Sequence, residues 1–123
     1  MKVANQTTGA RLRLVLAPRI AIGPGKADLL EGIRETGSIA AAGRRMGMSY
    51  KRAWGLVETL NGYFSEPLVA TSRGGAMQGG AALTTMGAHV LDTYRRMEAR
   101  TAEAVAEDFD ALRNHLADPL HGT

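Results

Sequence analysis

Apolar residues recur along this chain at two spacings, every second residue and every third or fourth, and glycine, proline and serine separate the stretches. Arg11-Leu12-Arg13-Leu14-Val15-Leu16 opens with basic and apolar residues alternating, the period of a strand with both arginines on its wet face. Pro18 interrupts it, and Ile20 and Ile22 predict a short continuation. Gly23-Pro24-Gly25 is a breaker cluster in which Pro24 suits the first position of a helix. That helix is predicted to run to about Thr36, with Leu29, Leu30 and Ile33 turned inward and Gly37 as its left-handed stop. Ser38 and Ser49 stand where an N-cap hydroxyl accepts a hydrogen bond from an orphan backbone N–H. They open a second helix that ends at Gly47 and a third that runs to about Tyr63. Leu68-Val69-Ala70-Thr71 and Ala81-Ala82-Leu83 read as the two strands of a hairpin around the glycine-rich tip Arg73 to Gly80. Thr84 or Thr85 caps a final helix with the stripe Met86, Val90, Tyr94, Met97, Val105, Phe109, Leu112 and Leu116, broken by a gap at Thr101.

The informative window is Ile39 to Leu56. Two helices packed steeply across a tight turn need a small residue at their crossing, which Gly43 supplies. The turn needs a residue that tolerates positive φ, which Gly47 supplies, and an apolar plug, which Met48 supplies beside Met46 and Ala42. Ala53, Leu56, Val57, Leu60 and Phe64 then give the second helix its inward face. Several requirements met in one window predict a helix-turn-helix rather than an ordinary helical hairpin. With the strand before it and the hairpin after it, the expected fold is mainly α with a small β component. It is a winged helix-turn-helix with an N-terminal strand, a β-hairpin wing and a long C-terminal dimerisation helix. The predicted layout is a flexible arm over 1–10, the DNA-binding domain over 11–84, the dimerisation helix over 85–117 and a tail over 118–123.

Size and charge sharpen this picture. The 123 residues allow one modest core, and the absence of cysteine removes disulfides and thiolate metal sites. No apolar run reaches the roughly 18 residues of a membrane span and no signal peptide opens the chain, so the expected setting is cytoplasmic, without a membrane partner. The net charge is only +3, but residues 1–52 hold ten Lys/Arg against three Asp/Glu, while residues 91–123 hold four against seven. Such asymmetry suits a protein that meets a polyanion with one end.

In a helix-turn-helix the second helix enters the major groove with its N-terminal turn leading. Ser49, Tyr50, Lys51, Arg52 and, further along, Thr59 are therefore the expected DNA contacts on that helix. Arg44 and Arg45 on the preceding helix are placed near phosphates, and Arg73 in the wing near a minor groove. Trp54, the only tryptophan, is read as core in preference to DNA contact. The final helix has more apolar stripe than its own domain can cover. Val90, Tyr94, Met97, Val105, Phe109, Leu112 and Leu116 are therefore the expected homodimer interface. No catalytic or metal constellation assembles around His89, His115 and His121, and neither glycine cluster meets the Walker pattern. An enzyme, a metal site and a cofactor are accordingly not expected. A winged-helix protein-interaction module without direct DNA binding is the alternative.

The stretch Glu35-Thr36-Gly37-Ser38-Ile39-Ala40-Ala41-Ala42-Gly43-Arg44-Arg45-Met46-Gly47-Met48-Ser49-Tyr50-Lys51-Arg52-Ala53-Trp54 resembles the N-terminal domain of ModE-type molybdate-responsive transcription regulators. Leu60-Asn61, the glycine-rich wing and Leu83-Thr84-Thr85 before Gly87 fit in order, so the likeness covers about 12–96. The helix-turn-helix part alone is also similar to LysR-type regulators. The resemblance implies a winged helix, dimerisation through the terminal helix and a palindromic double-stranded DNA target. It also implies Ser49 to Arg52 at the major groove and the Arg73 loop near the minor groove. Full-length members carry C-terminal molybdate-binding domains that these residues lack, so molybdate binding is not expected of this chain.

Overall fold

The computed structural model describes residues 8–72 and 80–117. In chain order they form β1 (Leu14–Ala17), β2 (Ile20–Ile22), α1 (Pro24–Thr36), α2 (Ile39–Arg45) and α3 (Tyr50–Asn61). Then follow β3 (Val69–Ser72), β4 (Gly80–Leu83), α4 (Thr85–Ala104) and α5 (Ala106–Arg113). The described residues are mainly helical, with two small antiparallel hairpins.

Local chemistry sets most boundaries. Pro24 opens α1, and Gly37 closes it at φ 73°, its N–H donating to the Ile33 carbonyl. The Ser38 hydroxyl accepts from the Ala41 N–H, the Ser49 hydroxyl from the Arg52 N–H and the Thr84 hydroxyl from the Gly87 N–H. Each removes one orphan donor from a helix start.

The core runs through the middle of these elements. Leu29, Leu30 and Ile33 of α1 meet Ile39 and Ala42 of α2, Ala53, Val57 and Leu60 of α3, and Leu91 and Tyr94 of α4. Leu68, Val69 and Ala81 close it from the second hairpin. A clamp between α1 and α4 reinforces it. The Arg95 guanidinium donates to Asp28 at 2.9 Å and Glu31 at 2.5 Å on α1, and to Glu98 at 2.9 Å. Burial works against the Arg95 charge, but these three carboxylates outweigh it and hold the guanidinium protonated more firmly than usual.

Two expectations need correction. The N-terminal segment is a hairpin, not one interrupted strand: Leu14 pairs with Ile22, Val15 with Ala21 and Ala17 with Ile20. Pro18 fixes its own φ, and Arg19 takes φ 68°, the combination that reverses a chain in a type II turn. Leu16 is left unpaired between two registers, and this bulge leaves both Val15 and Leu16 exposed. The alternating arginines Arg11 and Arg13 precede β1. The final helix, in turn, is divided. Val105, at φ −104° and ψ 8°, leaves helical geometry, and α5 restarts at Ala106.

Glycines show where backbones touch. A Cβ on Gly87 would stand 2.0 Å from the Leu68 carbonyl oxygen, so α4 lies directly against that peptide. A Cβ on Gly55 would meet nothing within 4 Å. Gly87→Ala should cost at least the roughly 1–3 kcal/mol of an overpacked core. Gly55→Ala should stabilise by up to about 1 kcal/mol through helix propensity. Paired urea melts check the ranking, and a Gly87→Ala protein as stable as wild type would contradict the close approach.

Candidate nucleic-acid interface

The site begins at a crossing. A Cβ on Gly43 would come 3.0 Å from the Ala53 Cβ, so α2 and α3 approach at backbone range there. The intervening turn closes with Gly47 at φ 71°, and the Met46 and Met48 N–H groups both donate to the Gly43 carbonyl at 3.0 Å. Met48 is half-buried as the plug. This crossing fixes the rotation of α3. Ala53, Val57 and Leu60 are buried, while Lys51, Arg52, Gly55, Glu58 and Thr59 are exposed. Lys51, Gly55 and Thr59, four apart, form one line along the outer face.

Among the described residues, ion pairing sorts the cations of the N-terminal half. Arg34 meets Asp92 at 3.0 Å, and Arg45 meets Glu35 at 2.7 Å. Lys26 donates to the Ala21 carbonyl at 2.9 Å and to the Tyr63 hydroxyl at 2.6 Å. Lys51, Arg52 and Arg44 are exposed and make no ion pair with a described residue. Ser49 caps α3 with its oxygen, which leaves its hydrogen to donate. Tyr50 is 58% exposed and stacks on half-buried Trp54 at 6.4 Å between ring centres. Trp54 packs against the core and also lines a surface groove. Arg73 lies outside the described residues.

Sequence reading missed one residue that shapes the site. The Asn61 side chain accepts from the Leu68 and Val69 N–H groups at 2.9 and 3.0 Å, and its amide donates to the Val69 carbonyl at 3.1 Å. It thereby ties the end of α3 to the start of β3. The Ala81 N–H donates to the Gly37 carbonyl at 2.9 Å, which ties β4 to the α1–α2 junction. The ribbon β3–β4 is thus held from both sides.

The residues expected at a subunit interface divide into four kinds. Val90 and Met97 line an apolar groove of about 320 Å³ between α4 and the Leu14 and Leu16 side chains of β1. Phe109 and Val105 are half-buried, whereas Leu112 and Leu116 are 73% and 42% exposed. Tyr94 departs from expectation. It is 2% exposed within its own chain, its hydroxyl donates to the Leu12 carbonyl at 2.6 Å, and it joins the core beside the groove that Val90 and Met97 also line.

Helix, tight turn, helix and two-stranded ribbon, in that order, are the architecture of a winged helix-turn-helix domain. The chain is similar to curated proteins of two kinds, ModE regulators and molybdenum-pterin-binding proteins. It is 37% identical over 120 residues to the molybdenum-pterin-binding protein MopB of Rhodobacter capsulatus, a match covering 98% of this chain and 41% of that protein. It is 35% identical over 113 residues to the molybdenum transport protein ModE of Azotobacter vinelandii, covering 92% of this chain and 40% of that one. To the DNA-binding transcriptional dual regulator ModE of Escherichia coli K12 it is 32% identical over 110 residues, covering 89% and 40%. The chain therefore spans about two fifths of the length of these curated relatives. No protein-family model matches it. Among the described residues no helix is long and apolar enough to cross a membrane.

Burial first, and then the Glu98 carboxylate, push the Tyr94 phenol up from 10.0 to about 12. The unfolded chain ionises this phenol first, so the stability it confers is intact below pH 10 and is lost as pH rises toward 12. Tyr94→Phe should lower stability at neutral pH by about 1 kcal/mol through the lost hydrogen bond. It should also flatten the alkaline decline in melting temperature, and an equally steep decline in that variant would exclude Tyr94 as its source.

Proposed function

We propose that this chain is the DNA-reading domain of a transcription regulator, with α3 entering the major groove by its opening turn. One observation carries the proposal. Lys51 and Arg52 stand exposed and without an ion pair among the described residues, on a helix whose opposite face is locked into the core. Other basic residues, Arg34, Arg45 and Arg95, are engaged by carboxylates. The positive end of the α3 dipole lies in the same turn and favours phosphate oxygens. Arg52 has the fork geometry that reads a guanine edge, and Lys51 carries a compact charge for either phosphate or base. Thr59 lies at the far end of the same face, Arg44 on the flanking helix. The names of the relatives, a DNA-binding transcriptional regulator among them, support the same reading.

The proposal extends to a dimer on a palindromic site. Leu112 and Leu116 are exposed, and no residue of α5 is buried. Leu112 on α5, with Leu116 just past its end, would be covered by a second subunit, and two copies would present two α3 helices to two half-sites.

Fluorescence anisotropy with labelled duplexes recovered by selection from a random pool tests DNA binding over a range of salt. Lys51→Glu should weaken binding at least about tenfold and reduce the slope of log K against log salt by about 0.9 or more. Its melting temperature should stay that of wild type. Undiminished affinity in that variant, or equal affinity for every sequence, would refute the reading.

Sedimentation tests the second part. Leu112→Asp places a charge on the proposed contact and should convert a dimer to monomer at concentrations where wild type remains paired. A dimer that survives the change would locate the contact elsewhere.

A further inference from the structure

A groove of about 720 Å³ opens between α2, α3 and the ribbon. Ser38, Arg44, Tyr50, Trp54 and Ser72 stand on its walls, and the buried Ile39 and Ala81 lie beneath them. We propose that this groove carries a stretch of one DNA strand's sugar–phosphate backbone, with Arg44 on a phosphate and the Tyr50–Trp54 pair against the neighbouring deoxyribose. The inference rests on the DNA-binding reading above and adds a contact that the opening turn of α3 does not itself make.

Charge is the first argument. Among the described residues no carboxylate lines this groove. The neighbouring one, of about 690 Å³, shares Arg44 but is lined by Asp28, Glu31 and Glu35. Arg44 borders both, and only the first admits a polyanion without like-charge repulsion. The hydroxyls of Ser38 and Ser72 add hydrogen-bond donors of the kind that commonly meet phosphate oxygens.

Shape and surface are the second. Tyr50 and Trp54 stack at 25° between ring planes and leave a large aromatic surface uncovered, with Tyr50 58% exposed. A backbone strand alternates an anion with a largely apolar sugar, and an arginine beside an aromatic pair matches that alternation. Bases inside a duplex are already stacked on one another, so the sugar is the group left to the rings. Tyr50 and Trp54 lie about 100° around α3 from the line of Lys51, Gly55 and Thr59, so the groove flanks the face proposed to enter the major groove.

Rigidity is the third. The Ala81 N–H bond to the Gly37 carbonyl and the Ser72–Gly80 pairing fix the ribbon wall. Gly80 matters to that wall, since a Cβ there would come 3.3 Å from the Ser72 Oγ and 3.6 Å from the Gly37 carbonyl. A preformed groove spends less free energy on ordering when it binds.

Trp54 is the only tryptophan, so the wild-type protein carries its own reporter. Selected duplexes are titrated into it while Trp54 emission and labelled-DNA anisotropy are followed together. Emission should be quenched along the same isotherm as the anisotropy. Arg44→Gln should weaken binding about tenfold and lower the salt slope by about 0.9. Tyr50→Ala should weaken it about fivefold with the slope unchanged, because an aromatic–sugar contact releases no counterion. Both variants should melt as wild type does. If Lys51→Glu weakens binding while Trp54 emission stays constant and both groove variants bind like wild type, the groove falls and the DNA-binding reading stands. Absence of duplex binding at every salt concentration overturns both.

Discussion

The approach of α2 to α3 at Gly43 and Ala53 sets everything downstream. With a Cβ on Gly43 only 3.0 Å from that of Ala53, neither position accepts a larger side chain without separating the helices. Close contact there decides how α3 is rotated about its axis. That rotation decides which of its residues join Val57 and Leu60 in the core and which, like Lys51 and Arg52, are left outside. The tight turn through Gly47 is the companion constraint, since a residue at φ 71° is needed for so short a reversal. A helix whose inner face is fixed so firmly can present its outer face without further support. Precise presentation of a few side chains from a rigid element is what groove recognition requires.

Charge is used economically around this frame. The N-terminal half is rich in cations, but part of that excess is structural. Arg34 and Arg45 are taken by single carboxylates. Arg95, from α4, gathers three. Such partly exposed pairs add little to stability individually, but the Arg95 cluster links α1 to α4 and so orients the helix that carries α5. Arg44, Lys51 and Arg52, outside these pairs, are exposed near the end of α2 and at the start of α3.

Local signals in the sequence were faithful. Ser38, Ser49, Thr84, Gly37 and Gly47 mark helix ends through chemistry that acts over three or four residues, and the structure shows each in that role. The inward stripe of α3 was legible for the same reason. Readings that depended on distant partners were less complete. Periodicity placed Tyr94 on an apolar face, but only the tertiary structure shows that its own N-terminal segment, through the Leu12 carbonyl, covers it. Pro18 was visible as an interruption; that it turns the chain back on itself follows from cross-strand pairing, which a single strand pattern does not encode. Neither glycine nor proline marks the break at Val105, and the one irregularity in the apolar stripe stands a turn earlier, at Thr101. Among the candidate site residues, Lys51 and Arg52 were placed on an exposed face by spacing alone. The pairing of Arg45 with Glu35, ten residues earlier, was beyond its reach.

Asn61 entrusts one of the ribbon's two tethers to a single amide. An aspartate has nearly the same shape and could still accept from the Leu68 and Val69 N–H groups, but it would set a carboxylate oxygen against the Val69 carbonyl where the amide now donates. The cost would fall on the joint between helix and ribbon and leave the hydrophobic interior untouched. A change at this one position would therefore weaken one of the ribbon's two tethers while every core position stayed the same.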